Sequence, residues 1–227
     1  KWEEPTTEAS RYHPYGMLRE MRKAETSEGF QVSFTYAKQP VPGASDAPSD
    51  RGLRVHLLGG GPTEVWLGKS PSVRRMGQGA RGDMRKAYDF WMPHLLVRRA
   101  GPAPLATTFA AVHEPVLGKP FVDEARLIGL IGPSGPMQAN PWPVALQVRH
   151  GDTTDTVLST TDQAPYPERA AAGVRLRGRL GIVRERGGKV VGAWLFDGES
   201  LSGDGWKVTL PPAPAGEIEA AARTAEG

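Results

Sequence analysis

The chain of 227 residues has no cysteine. That excludes disulfides, thiolate nucleophiles and cysteine-ligated zinc or iron–sulfur sites, and it leaves the redox compartment unmarked. The single asparagine, Asn140, is followed by Pro141, so no N-glycosylation acceptor exists. No run of 18 apolar residues occurs, and the opening KWEEPTTEAS lacks the charged-then-apolar order of a signal peptide. A membrane partner is therefore not expected. Charge of one sign is also scarce: 28 basic against 25 acidic side chains leave a net +3. That excess is too small to mark a nucleic-acid binder, and no nucleic-acid partner is expected. The first residue is Lys1 rather than Met, as in a processed product or a segment of something longer.

Hydrophobic residues make up 39% of the chain and charged residues 23%, a balance that supports a packed core. Gly (28) and Pro (21) together exceed one residue in five, and both interrupt helices, so a helical bundle is excluded. Residues 1–28 are polar and read as an arm or a short helix. From Phe30 the pattern changes: Phe30, Val32, Phe34 and Tyr36 alternate with Gln31, Ser33, Thr35 and Ala37, placing the large side chains on one face of a strand. The stretch 39–52 (QPVPGASDAPSDRG) reads as an exposed loop, and 69–87, basic and glycine-containing, as a long mobile one.

Between these loops, strands over 53–58 and 63–67 are joined by Gly59, Gly60, Gly61 and Pro62, which predicts a hairpin. Further strands are expected over 93–99, 105–114 and 121–131. A second hairpin is expected over 143–150 and 153–160. Segments 174–186 and 189–197 flank the Gly187–Gly188 connection of a third, and a last pair follows at 200–202 and 206–210. Only residues 217–226 (EIEAAARTAE) have the composition of a short C-terminal helix, after the Pro/Ala-rich start of a tail spanning 211–227. Many short strands without crossover helices predict an all-β antiparallel β-sandwich built from hairpins over residues 29–210.

Several apparent motifs fail on inspection. LGKS at 67–70 lacks the glycine a phosphate loop needs, since position 63 is Thr. Gly129, Gly132 and Gly135 precede no helix and read as turn glycines. The five histidines (13, 56, 94, 113, 150) show no metal-ligand spacing, so no metal is expected, and the residues name no cofactor. His113 and Glu114 are neighbours and on a strand face opposite ways. Each is a candidate for a substrate-facing or interface role, against the plainer reading of a polar side chain satisfied within the sheet. Arg175, Arg177 and Arg179 share one strand face and suit carboxylates or sulfates of an anionic polymer. The plainer reading is a solvated face that protects the sheet. Arg98 and Arg99 carry the same ambiguity.

WMPHLLVRR (91–99), PLATTFAAVHEPVLGKPFVDEARLI (104–128) and RLRGRLGIVRERGGKVVGAWLFDGESL (175–201) resemble the C-terminal all-β region of heparinase II/III-like proteins. The similarity runs from about residue 29 to 210, with VHEP and the following GKPF its most recognisable parts. The resemblance implies a polysaccharide lyase in which an α/α toroid, in the same protein or a companion chain, packs against β-sandwich layers. It also implies an acidic polysaccharide substrate and a secreted or periplasmic location. Such enzymes cleave uronate polymers by β-elimination, with the catalytic Tyr and His coming mainly from the toroid. No catalytic residue can be carried over: His13 in RYHPY does not match the family's His/Asp-containing segment. The chain is thus expected to be the sandwich module, inactive alone. The alternative is a noncatalytic glycan-binding or assembly protein that keeps the fold. A hydrolase using Asp123 and Glu124 is weaker still, because adjacent strand residues face opposite ways.

Overall fold

A computed structural model describes residues 18–35, 50–71, 91–137 and 143–211. The predicted C-terminal helix and most of the two predicted long loops lie outside these residues. The described part is all-β and antiparallel.

Its first half is a three-stranded meander bent at one corner. Strands β1 (Arg19–Thr26), β4 (Thr63–Pro71) and β5 (Trp91–Arg98) form one small sheet in the order β1-β4-β5. Strands β2 (Phe30–Thr35), β3 (Arg51–Leu58) and β6 (Ala110–Leu117) form another in the order β2-β3-β6. Register runs on through the corner. Thr26 faces Thr63 on one side of it and Phe30 faces Leu57 on the other, while β3 and β4 similarly face β6 and β5. The expected hairpin between 53–58 and 63–67 is therefore corrected: Gly59–Pro62 is a bend between two sheets, and each flanking strand pairs elsewhere. Glycines permit both outcomes. Here Gly61 takes φ 122°, and Gly29 and Gly59 approach so closely that a Cβ on Gly59 would sit 3.1 Å from the Gly29 nitrogen.

The arm expected over residues 1–28 is also corrected in part, because Arg19–Thr26 is strand β1. It is an edge strand with few apolar side chains, held to β4 by the ladder and by the Lys23 ion pair to Glu64 at 2.8 Å, Lys23 also pairing with Glu25 of its own strand at 2.8 Å. The expected face of β2 is present for Phe30, Val32 and Phe34, while Tyr36 lies outside the described residues. Phe30, Val32 and Phe34 stand opposite Leu57, Val55 and Leu53, of which Val55 and Leu57 are buried.

The second half is one nine-stranded curled sheet. Its path is β7 (Glu124–Leu127), β10 (Val144–His150), β11 (Thr153–Ser159), β13 (Val174–Arg186), β12 (Arg169–Ala171), β8 (Leu130–Gly132) and β9 (Gly135–Met137). Strand β14 (Lys189–Gly203) lies on the other edge of β13 and carries β15 (Trp206–Thr209). The predicted hairpins β10–β11, β13–β14 and β14–β15 all form. The curl lets the sheet cover its own inner face, where Leu130, Ala145, Leu158, Ala171, Val174, Leu176, Val183 and Leu201 form the core.

Strand β13 buries Val174, Leu176 and Gly178 in its first half but Gly181 and Val183 in its second. The change of side coincides with a bulge in β14, where Arg177 faces Ser200 but Gly178 faces Gly198. A side chain at Gly178 would meet the Gly198 Cα at 2.7 Å, so the crossing point requires glycine.

Candidate functional site

The sequence candidates fall into three places. Glu114, on β6, is 1% exposed and forms the centre of a buried polar cluster. Antiparallel pairing sets Arg54 of β3 opposite Glu114, and the two-residue period brings His56 to the same face. Arg54 Nε donates to Glu114 Oε2 at 2.6 Å, and His56 Nε2 lies 2.8 Å from the same oxygen. The other oxygen accepts the backbone N–H groups of Phe121 and Val122, at 2.6 and 2.9 Å. Arg54 also donates to the Val122 carbonyl at 2.6 Å. Burial pushes the Glu114 carboxyl up, but bonds from the Val122 amide, Arg54, His56 and the Phe121 amide outweigh it and bring it down to about 2. An ionised carboxylate only accepts, so Nε2 of His56 carries the proton between them.

This cluster joins the meander to the segment that leads into β7. A carboxylate held ionised well below neutrality and saturated with donors is a poor general base, so Glu114 is a fastener rather than the substrate-facing group considered from sequence. His113, its neighbour, is exposed on the opposite face, as the strand period requires. The sequence reading did not find Arg54 and His56, since nothing local marks residues 58 and 60 positions upstream as partners of Glu114. Beside the cluster lies a cavity of about 320 Å³, lined by His56, Gln31, Leu58, Ala125, Arg126 and Leu127.

Arg98 and Arg99 part company at the corner. Arg98 is exposed and 3.6 Å from Glu64. Arg99 is drawn in: its Nε donates to Thr63 Oγ1 at 2.9 Å, and its Nη1 to Thr107 Oγ1 at 2.8 Å and the Thr108 carbonyl at 2.7 Å. Its guanidinium also lies 4.5 Å from the Phe109 ring centroid. Burial lowers its pKa. Arg99 thus pins the bend.

Arg175, Arg177 and Arg179 do share the exposed face of β13. Arg177 lies 3.7 Å from Glu168, and Arg179 lies 3.2 Å from Asp197, which also accepts the Tyr166 hydroxyl at 2.8 Å. Asp123 and Glu124, the weaker hydrolase pair, are engaged with one guanidinium, that of Arg149, at 3.8 and 3.6 Å. Among the described residues, no group of three or more His, Asp or Glu side chains is placed to hold a metal ion.

The outer face of the large sheet carries a feature that the sequence did not disclose. Register aligns Leu127, Leu146, Val157, Ile182 and Trp194 as one apolar row across β7, β10, β11, β13 and β14. None of the five is fully buried. The row ends at Trp194, 44% exposed, with Phe196 beside it on β14 at 50%. The Trp194 ring lies against Gly192, where any side chain would displace it. Comparison of the chain with protein-family models, curated proteins and solved structures finds no match in any of the three.

Proposed function

We propose that the chain is the β-sandwich module of a heparinase II/III-like polysaccharide lyase. It packs against an α/α toroid of the same protein or a companion chain and does not turn over substrate by itself. The observation that carries this reading is the apolar row from Leu127 to Trp194 on the outer sheet face, continued by Phe196. Leu127, Leu146, Val157 and Ile182 are partly buried while Trp194 and Phe196 are exposed, and an apolar row across five strands with an open end is the kind that another domain covers. Glu114, the most strongly perturbed carboxylate described, is committed to fastening two parts of the fold. In this reading the toroid supplies the base and the acid, and the sandwich supplies one wall of the cleft.

One observation favours the second reading, a noncatalytic glycan-binding protein. The Trp194 indole rests on Gly192 and is partly open to solvent, which suits stacking on a sugar ring. The purified chain incubated with uronate polymers separates the two readings from a catalytic one. The expected result is no ultraviolet absorbance from unsaturated sugar ends and no new reducing ends; turnover by the chain alone would overturn both readings. Stable co-purification with the toroid, abolished by Trp194→Asp, supports the module. Failure of that complex to form leaves the glycan binder.

A further inference from the structure

A second exposed surface lies on the first half of β13 and its neighbours, separate from the apolar row. Register sets Arg175 opposite Ser202 and Ser202 opposite Lys207, one row across β13, β14 and β15. The next row on the same face is Arg177, Ser200 and Thr209. On the other side, Arg175 faces Ala170 of β12. Opposite these residues, the inner face buries Val174, Leu176 and Leu201, so the two rows point outward.

The floor of this surface is low, made of Ser200 and Ser202, with Arg175 and Arg177 on one side of it and Lys207 on the other. Strands lie about 4.8 Å apart, so Arg175 and Lys207 stand about 10 Å from each other across the floor. Arg177 and Arg179 each have an acid nearby, Glu168 and Asp197. Arg175 and Lys207 make no ion pair with any described residue. Two cations without an ion pair among the described residues, flanking serine hydroxyls that can also donate, offer hydrogen-bond donors to anionic oxygens.

We infer that this surface, Arg175–Ser202–Lys207 with Arg177–Ser200–Thr209 beside it, is a docking strip for a linear polysaccharide bearing carboxylate or sulfate groups. The inference rests on the glycan contact proposed above and gives it a place and a chemistry. Serine and threonine hydroxyls between the cations match the hydroxyls and anionic substituents of a sugar chain. No aromatic platform alternates with these cations, as stacking on single-stranded nucleic acid would need. The strip also carries no large apolar side chain to enter a lipid surface.

The test is salt elution of the full chain from immobilised heparin and immobilised polygalacturonate, with neutral dextran as the blank. Wild type is expected to be retained on at least one acidic polymer and to pass through dextran. Arg175→Ser with Lys207→Ser should weaken binding about tenfold, about 1.4 kcal/mol. Ser202→Glu, which sets a carboxylate between the two cations, should do the same. Circular dichroism verifies that each variant is folded. Arg186→Ser with Lys189→Ser removes the same charge from the far end of the hairpin and should leave retention unchanged. Equal losses for the two double variants would overturn the strip, reducing retention to a general charge effect. Retention untouched by the strip variants would overturn the strip while keeping the glycan reading. No retention of wild type on either acidic polymer would overturn both. Equal affinity for single-stranded DNA would overturn the polysaccharide class.

Discussion

Replacing Glu114 with Gln keeps the shape of the side chain and removes its charge, leaving Arg54 without its counter-ion in a buried setting. The fold holds the Glu114 carboxyl at about 2 against an ordinary 4.5. At about 1.36 kcal/mol for each pH unit of that displacement, ionised Glu114 stabilises the fold by about 3 kcal/mol. The fold favours the ionised form, so this contribution is complete above about pH 5. It falls away as the pH drops from 4.5 towards 2 and the carboxyl takes up its proton. Urea unfolding followed by tryptophan fluorescence at a series of pH values reads this directly. Near pH 7, Glu114→Gln should be less stable than wild type by about 3 kcal/mol, within the range for breaking a buried ion pair. The gap should narrow as the pH falls below 4, because protonated wild type comes to resemble the variant. A difference that stays constant from pH 7 to pH 2.5 would refute the reasoning, as would a cost below about 0.5 kcal/mol near neutrality.

Arg99→Ala removes three hydrogen bonds at the corner and leaves Thr63, Thr107 and the Thr108 carbonyl to find other partners. The expected loss is about 2 kcal/mol by chemical denaturation, with Arg99→Lys recovering only part of it. Gly178→Ala drives a methyl group against the Gly198 Cα and should cost about 1–3 kcal/mol, visible as a lower thermal midpoint. Arg184→Ala breaks a two-pronged contact with Asp155, at 2.6 and 2.8 Å, yet the Arg184 side chain is 42% exposed. Its cost should stay under about 1 kcal/mol and shrink further in high salt.

What the sequence disclosed follows from how local each signal is. The hairpins β10–β11 and β13–β14 are legible because both partners are consecutive and meet at Gly151 or Gly187–Gly188, which take positive φ, and because β10 and the first half of β13 alternate cleanly. Gly59–Pro62 misled for the same reason that it attracts notice. Its residues license a change of direction without fixing the angle, and pairing with β2, β6, β1 and β5 decided it. From sequence the segment of β1 reads as an arm or a short helix, because Arg19–Thr26 has almost no apolar stripe and owes its place as a strand to the ladder and Lys23. Glu114 was visible as unusual; its role was not, since that depends on Arg54 and His56 from another strand. The apolar row ending at Trp194 was invisible for a similar reason: its five members come from five strands and line up only in register.

Three stretches of chain each cross the corner and serve both small sheets, so neither sheet owns a strand of its own. Melting one should therefore drag the other along, and strands β1 to β6 should behave as a single cooperative block. Amide hydrogen exchange should register one shared opening energy for the ladders on both sides of Gly59–Pro62. A cut or insertion in the bend would loosen distant pairings on both sides together rather than freeing one half.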